Sequence, residues 1–287
     1  MIEVNLQVRP AVLQDQHQIA NLMFFETHVH RHLDWRAPLE WLGSPYYWVV
    51  EDNGRVLAVL ACPQDPDGVA WVRLFAHVRQ ISLDDAWAVL WDTAQRDIGQ
   101  RGGATVALIA MHNWLSDLLV KNGFSHKQDI IMLEWKDSDV PEQILIEGIK
   151  IRKMYPADLP EVAKLDAFAF MPLWQNPLHA LEKALPQATS ATIAEDDRGL
   201  VGYQISTANP FGAHLARLAV RPDAQQRGIG TLIVADLIRR LKNKSIARLT
   251  VNTQSDNHAS LALYKKMGFV VTGEKFPVYC FTVSPSR

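Results

Sequence analysis

The sequence predicts an α/β protein made of two similar domains, each built around a mixed sheet. Two observations lead to this prediction. Strand-like and helix-like hydrophobic patterns alternate along the second half of the chain. In addition, short segments of the first half recur in the second half, in the same order and at nearly one spacing.

The repeat divides the chain. Three segments of the first half recur 144 or 145 residues later: EDNGRVLA (51–58) as EDDRGLVG (195–202), VRLFAH (72–77) as ARLAVR (216–221), and LLVKNGF (118–124) as LYKKMGF (263–269). Two copies of one fold explain the common order and spacing. We therefore predict domains at 1–137 and 148–287, joined by a linker at 138–147 that is punctuated by Ser, Asp and Pro.

The elements of the second half follow in order. GIKIRKM is a strand, and ADLPEVAKLDAFAF has apolar residues at helical spacing. SATIAED and GLVGYQISTA form a hairpin around the turn residues Asp196, Asp197 and Gly199. AHLARLAV is the next strand, and a glycine loop leads from it into a helix from about Ile229 to Lys242. ARLTVNT is a strand, NHASLALYKKMGF is a helix and YCFTV is a closing strand.

The composition is that of a soluble globular protein, because 48% of the 287 residues are hydrophobic and 21% are charged. The formal net charge of −2 argues against general binding to nucleic acid or anionic membranes. The first residues lack a signal pattern, and no apolar run approaches the roughly 20 residues that cross a bilayer, so we expect a cytoplasmic protein. Cys62 and Cys280 are expected to be buried free thiols.

The glycine loop is a candidate anion site. A strand, a glycine turn and a helix that opens on the turn bring free backbone N–H groups together, and the helix dipole adds partial positive charge. Gly228 and Gly230 permit close approach of phosphate oxygens, and Arg227 adds charge. The patterns of triphosphate-hydrolysing and dinucleotide-binding loops are missing. A turn that merely links strand to helix remains the alternative.

Two motifs carry a family resemblance. LAVRPDAQQRGIGTLIVADLI resembles the acyl-CoA-binding signature Q/R-x-x-G-x-G/A of the GNAT superfamily of N-acyltransferases, with Gln225, Gly228 and Gly230 at its fixed positions. NTQSDNHASLALYKKMGF resembles the second motif of that family, from Asn257 to Phe269. For residues from about 148 to 283, the resemblance implies acetyl-CoA as co-substrate and no metal. For the whole chain it implies an α/β (α+β) fold of two tandem GNAT-like domains, each a mixed, mostly antiparallel twisted sheet flanked by helices.

The resemblance also implies roles for single residues. Backbone groups of a bulged strand pair with the pantetheine arm, N–H groups of the glycine loop hold the pyrophosphate, and Tyr264 donates a proton to the departing thiolate. The implied cofactor-binding residues are Leu218, Ala219, Val220, Gln225, Gln226, Arg227, Gly228, Ile229, Gly230, Thr231, Asn257, Ser260 and Tyr264. Two alternatives stay open: Asn257 as a plain helix N-cap, and Tyr264 as a core aromatic residue.

The general base and the acceptor site are less defined. Many family members carry a glutamate on the strand before the glycine loop, but FGAHLARLAV has no carboxylate. His214 is therefore the candidate base, with a surface histidine as the alternative. LDAFAFMPLWQNPLH resembles the acceptor-binding region of the family, and Phe168, Phe170 and Trp174 suggest an apolar acceptor surface, unless they belong to the core.

The first half departs from the pattern. No glycine loop follows WVRLFAHV, and Leu119 takes the place of Tyr264. This copy therefore resembles a degenerate GNAT domain that keeps the fold but has lost the usual cofactor-binding loop. The segment IANLMFFETHVHRHLDW around HVHRH reads as helix running into loop, where His28, His30 and His32 do not converge on a metal. The aromatic residues of this half are expected in core and interdomain packing, with a substrate-facing aromatic wall as the alternative; they are Trp35, Trp41, Tyr46, Tyr47 and Trp48.

The function predicted from these features is N-acetyl transfer from acetyl-CoA to a primary amine by direct attack. The alternative is a non-catalytic acyl-CoA-binding or sensing protein. The expected partner is a small-molecule or peptide amine, with no nucleic acid and no membrane, and the expected state is a monomer or a homodimer. The identity of the amine stays open, because specificity lies in loops.

Overall fold

The structure, a computed structural model, describes residues 6–136 and 145–286. The chain divides into two compact units: Met1–Lys127 with Pro277–Arg287, and Gln128–Phe276. This division differs from the predicted boundaries, because residues 128–136 fold with the second unit and residues 277–286 fold with the first. Most of the predicted linker, 138–147, lies outside the described residues, and its last three residues belong to the second unit.

The described residues form fourteen strands and seven α-helices. The strands are β1 Gln7–Pro10, β2 Val29–Arg31, β3 Tyr47–Asp52, β4 Arg55–Ala61, β5 Val69–Trp71, β6 Leu74–His77, β7 Ala104–Ile109, β8 Ser125–Lys136, β9 Lys150–Lys153, β10 Ser190–Asp196, β11 Gly199–Asn209, β12 Gly212–Val220, β13 Arg248–Gln254 and β14 Val270–Val283. The helices are α1 Gln16–Phe25, α2 Leu83–Gln100, α3 Asn113–Lys121, α4 Leu159–Ala169, α5 Leu178–Gln187, α6 Ile229–Lys242 and α7 His258–Lys266.

The first unit contains an antiparallel sheet with the strand order β1-β3-β4-β6-β2. A second ladder in this unit pairs β5 with β7 in parallel, and β7 with residues 278–283 of β14 in antiparallel orientation. Trp41, Tyr47 and Trp48 are buried in the core of this unit, as predicted, and Trp48 Nε1 donates to Asp97. Trp35 and Tyr46 are half-buried.

The second unit has the strand order β8-β13-β12-β11-β10-β9. Only residues 128–136 of β8 belong to this unit. Only β12 and β13 run parallel among these pairs, so the sheet is mixed and mostly antiparallel, as predicted. Helix α6 packs closely on this sheet at Gly202. A Cβ atom at this position would lie 2.9 Å from Ile233 Cδ1 and 3.0 Å from the Ala219 carbonyl oxygen.

The two units repeat one another in detail. The parallel pair of Val69 with Thr105 recurs 144 residues later as Ala213 with Leu249. In each unit, an arginine of the first strand binds one carboxylate before the first helix and another on the hairpin. These trios are Arg9, Asp15 and Glu51 in the first unit and Arg152, Asp158 and Glu195 in the second. The second half therefore repeats the fold of the first.

Strand β8 completes the core of the second unit. It pairs with β13 from Ile130 to Lys136 and buries Leu133 and Trp135, which are 2% and 1% exposed. A fragment of residues 148–287 lacks these two side chains. We expect it to be less stable than a fragment of residues 128–276 by about 3–6 kcal/mol, from roughly 1.5–3 kcal/mol for each buried side chain. Urea unfolding of both fragments measures the difference, and equal midpoints would contradict the assignment of β8 to this core.

The histidines of the first unit correct one interpretation. The segment 19–35 begins as a helix, as predicted, but after α1 ends at Phe25 it contains the strand β2, Val29–Arg31, and not only loop. The three side chains have separate partners: His28 stacks on His77, His30 Nε2 lies 3.0 Å from the Val72 carbonyl oxygen, and His32 stacks on Trp71. Burial lowers the pKa of His30 to about 4. No group of three or more metal-ligating side chains occurs in the described part of the chain.

The two cysteines differ in exposure. Both are free thiols, as predicted. Cys62 is fully buried directly after β4, whereas Cys280 is only half-buried, so the expectation of two buried thiols holds for one of them. Cys280 lies in the part of β14 that pairs with β7. None of the helices within 6–136 and 145–286 is long and apolar enough to cross a membrane.

Candidate active site

The sheet of the second unit opens between β12 and β13. Parallel pairing runs from Ala213 with Leu249 to Leu215 with Val251 and stops there. The next residue, Ala216, is an extra residue in the register with β11, which makes a β-bulge. Beyond the bulge, β11 is the one described strand that pairs with β12, so the other edge of β12 is open.

The backbone groups on this open edge follow from the register. Arg221 N donates to the Val201 carbonyl oxygen at 2.8 Å. In this register, the backbone N–H and C=O groups of every second residue before Arg221 also point toward β11. The N–H and C=O groups of Leu218 and Val220 therefore point to the open side. Gln225 Nε2 already donates to the Val220 carbonyl oxygen at 3.1 Å, so Leu218 offers both of its groups to an extended ligand.

The glycine loop joins this edge to α6. Gln226 and Gly228 have φ angles of 62° and 82°, in the left-handed region, and Gly228 is the N-cap of the helix. The first bond inside the helix runs from Leu232 N to the Gly228 carbonyl oxygen at 2.9 Å. The N–H groups of residues 229–231 consequently have no partner within the helix. Such a helix start binds anions.

Two features keep the loop compact. A Cβ atom on Gly230 would lie 3.2 Å from Leu263 Cδ2, so glycine allows α6 to lie close to α7. Arg221 donates to Asp223 at 2.6 Å, so the carboxylate of this turn already has a partner.

Arg227 is half exposed, and its Nη1 lies 3.9 Å from Asp196 Oδ2. This weakly held guanidinium can turn toward a bound phosphate.

Helix α7 presents the candidate acid. Asn257 caps the helix, because its side-chain oxygen accepts from Ser260 N at 3.1 Å. The N-cap interpretation of Asn257 is therefore confirmed, and its cofactor contact remains a prediction. Tyr264 is 4% exposed, its ring lies 5.4 Å from that of Phe269, and burial raises the pKa of its hydroxyl. It therefore stays protonated at neutral pH and can donate.

His214 contacts the hydroxyl of Thr250 on the neighbouring strand. Its Nδ1 lies 2.9 Å from Thr250 Oγ1, and the Thr250 hydroxyl donates to the Ala213 carbonyl oxygen at 3.3 Å. When the threonine proton is donated to Ala213, His214 Nδ1–H donates to Thr250, and this tautomer leaves Nε2 as the acceptor. Burial lowers the pKa of His214, so the ring is neutral at neutral pH. The side chain is half-buried, and its role as the base remains a prediction.

The candidate acid and the candidate base are assigned to opposite faces of the sheet. Tyr264 packs in one hydrophobic cluster with Ala213, Leu215 and Val251, which form the end of the parallel ladder. His214 lies between Ala213 and Leu215 on β12, and successive side chains of a strand alternate between the two faces.

Residues 159–269 match the model of the Acetyltransferase (GNAT) family. The matched region lies inside the second unit and contains the open strand, the glycine loop and α7. The second unit belongs to the GNAT family.

Named relatives cover part of this chain. The mycothiol acetyltransferase of Amycolatopsis mediterranei is 26% identical over 173 residues, which is 53% of this chain and 57% of the relative. The [ribosomal protein bS18]-alanine N-acetyltransferase of Salmonella typhimurium is 32% identical over 77 residues, which is 27% of this chain and 51% of the relative. The chain thus spans about half the length of the curated relatives it matches.

Solved structures extend the likeness to the whole fold. A GCN5-related N-acetyltransferase from Sphaerobacter thermophilus has a TM-score of 0.63 and 16% identity, and the match covers 98% of this chain and 97% of that one. A tandem GNAT protein from the clavulanic acid biosynthesis pathway has a TM-score of 0.64 and 17% identity, and the match covers 99% and 100% of the two chains. Both units therefore have the GNAT fold in tandem.

The first GNAT unit lacks the features of an anion site. Helix α2 follows β6 without a glycine loop, and Ser82 caps it by accepting from Asp85 N. Asp84 and Asp85 place two carboxylates in the first turn, where they repel a phosphate. Leu119, in the position of Tyr264, is fully buried and carries no proton donor.

The predicted acceptor residues lie at the end of α4 and in the segment after it. Phe168 is 76% exposed, which excludes it from the core. Phe170 and Trp174 are half-buried. All three belong to the second GNAT unit, and their contact with an acceptor remains a prediction.

Sequence reasoning missed a polar cluster beneath these residues, formed by Asp166, Tyr203 and Arg217. Asp166 is fully buried and accepts from the Tyr203 hydroxyl and from the Arg217 guanidinium. Burial raises the pKa of Tyr203, and the Asp166 carboxylate raises it further. The available signal was Arg217 itself, a charge inside the otherwise apolar strand LARLAV.

Proposed function

We propose that the second GNAT unit transfers an acetyl group from acetyl-CoA to a primary amine by direct attack. One observation carries this proposal: the open edge of β12 at Leu218 leads directly into the anion site at the start of α6. Acetyl-CoA presents the complementary order of groups, an arm with amides followed by a pyrophosphate. A strand edge pairs with amides, and a helix start binds phosphate.

The residues around the opening divide the proton transfers. The amine nitrogen attacks the thioester carbon, a C–N bond forms, and the C–S bond breaks. His214 Nε2 accepts the proton that the nitrogen loses, directly or through water. Tyr264 donates its proton to the departing thiolate. Each transfer contributes typically 10²–10⁴-fold to the rate, and alignment of the two substrates supplies the rest of the acceleration.

The acceptor is proposed to be an amine of a small molecule or a peptide. By their names, the relatives above act on mycothiol and on an alanine of ribosomal protein bS18. In this chain, Phe168 and Met171 are exposed apolar residues beside the half-buried Phe170. They would favour an amine that carries an apolar group.

The direct test uses the purified protein with acetyl-CoA and a panel of amines that contains small amines, amino acids and peptides. The readout is free thiol released from CoA. Release that depends on the presence of an amine is expected. Tight acetyl-CoA binding without acceptor-dependent thiol release would contradict the proposal and would indicate an acyl-CoA-binding sensor.

The role of His214 predicts a pH dependence. Its pKa lies below 6.5, the ordinary value, so the free base predominates at neutral pH and is lost as the pH falls through that lowered pKa. We expect His214→Ala to reduce kcat/KM about 10²-fold at pH 7. The loss should shrink at high pH, where the acceptor amine is already deprotonated.

A pH–rate profile of both proteins measures this effect, with His17→Ala on the exposed side of α1 as the control. The control should reproduce the wild-type profile. A His214→Ala profile that follows the wild type at all pH values would remove His214 from the mechanism and return it to a structural role.

A further inference from the structure

The buried carboxylate of Asp166 is the centre of a closed network. Asp166 lies on α4 with 0% of its surface exposed. Arg217 donates to it through Nε and Nη2, both at 2.7 Å, and the Asn176 backbone N–H donates at 2.7 Å. The Tyr203 hydroxyl from β11 is a further donor. Donors from strand and loop thus surround a charge that burial alone would make costly.

Arg217 also holds the segment that follows α4. Its Nη2 donates to the Trp174 carbonyl oxygen at 2.6 Å, and its guanidinium carbon lies 3.5 Å from the centre of the Phe170 ring. Gln175 Nε2 closes the same segment internally by donating to the Phe170 carbonyl oxygen at 3.0 Å. One side chain of β12 therefore contacts residues near both ends of the segment 170–176.

The position of Arg217 on β12 connects the segment 170–176 to the open edge of that strand. Arg217 follows the bulge at Ala216 and precedes Leu218, whose backbone forms the open edge. The segment it holds includes Phe170 and Trp174, which the sequence predicts as part of the acceptor surface. A guanidinium with bidentate and stacking contacts fixes one geometry better than a flexible ammonium group does.

We propose that Arg217 is the positioning residue for the amine acceptor, because it ties the segment 170–176 to the strand that binds the cofactor. Asp166 orients the guanidinium and Tyr203 orients Asp166. The inference rests on the proposed function for the identity of the acceptor site. Arg217 affects the affinity and alignment of the acceptor, whereas the glycine loop binds the cofactor.

The test compares Arg217→Lys with the wild type, using the acceptor found in the amine panel. We expect kcat/KM for the acceptor to fall about 10–100-fold, because a displacement of about 1 Å costs up to this factor. The Kd for acetyl-CoA should stay within about twofold of the wild type, since backbone groups dominate that site. Hydrogen exchange on the protein alone should become faster at 170–176 and stay unchanged in α6.

Two further variants control for folding. Arg152→Lys alters an arginine of the same unit whose partners, Asp158 and Glu195, lie outside the segment 170–176, and it should keep the acceptor kinetics. The double variant Asp166→Asn with Arg217→Met removes both buried charges together and keeps an amide oxygen to accept from the Tyr203 hydroxyl and the Asn176 N–H. It should melt near the wild-type temperature and still show the acceptor defect.

The outcomes separate the two proposals. A wild-type protein without acceptor-dependent thiol release overturns the proposed function, while the exchange measurement still tests whether Arg217 holds the segment. Wild-type turnover combined with unchanged acceptor kcat/KM in Arg217→Lys overturns the positioning role. Unchanged exchange at 170–176 in that variant overturns it as well.

Discussion

Replacement of Tyr264 by phenylalanine is expected to lower turnover about 10²-fold or more. The variant keeps the ring and its packing against Phe269 but loses the proton that the departing thiolate requires. Burial is the sole cause of the raised pKa of Tyr264, and no described group hydrogen-bonds its hydroxyl. Its removal therefore leaves no buried partner unsatisfied, and the melting temperature and acetyl-CoA affinity should change little.

Steady-state kinetics, calorimetric titration with CoA and thermal unfolding measure these three quantities. Tyr155→Phe serves as the control, because Tyr155 is a 53% exposed tyrosine of the same unit. Full activity of Tyr264→Phe would exclude the general-acid role. A large loss of stability would instead support the core-aromatic interpretation.

Substitution of Gly228 by valine is expected to abolish CoA binding, with affinity falling at least about 100-fold, or 2.7 kcal/mol. Gly228 has a φ angle of 82°, which a β-branched residue does not adopt without strain. Its Cβ would make only an ordinary van der Waals contact, at 3.5 Å from Ile146 Cδ1, so the strain comes from the backbone conformation. Relief of this strain displaces the N–H groups that form the anion site.

Calorimetric titration of the wild type should give one CoA site per chain, because the first unit has a capped, acidic helix start in place of the loop. Gly273→Val is the matched control. It introduces valine at a φ angle of 92° in the same unit, where nothing lies within 4 Å of the new Cβ. Two equivalent sites per chain would show that the first unit retains a cofactor site, and tight binding by Gly228→Val would exclude the loop.

Local signals explain why the second unit was well predicted. The helix α6 begins at Ile229 and ends at Lys242, as its periodicity and the preceding glycines indicate. The hairpin of β10 and β11 turns at Asp196–Gly199, where the turn residues are found in the sequence. In both cases, the information lies within a few residues of the structure that it determines.

Short polar motifs were harder to interpret. The segment from His28 to His32 has too few residues to show a period, and its strand character comes from pairing with β6, more than 40 residues away. The N-cap role of Asn257 was visible in the sequence, whereas the tautomer of His214 depends on Thr250 of the neighbouring strand. Chemical state follows from such neighbours.

By itself, the sequence determined the duplicated α/β plan, the glycine loop, α7 with Tyr264 and the loss of the loop in the first copy. Only the tertiary structure decided that residues 128–136 complete the second unit and that residues 277–286 belong to the first. It also decided that Asp166 meets Arg217, 51 residues away. Turns and helices form from local backbone preferences and periodic burial. Strand partners and buried ion pairs depend on register between distant segments, which periodicity alone does not specify.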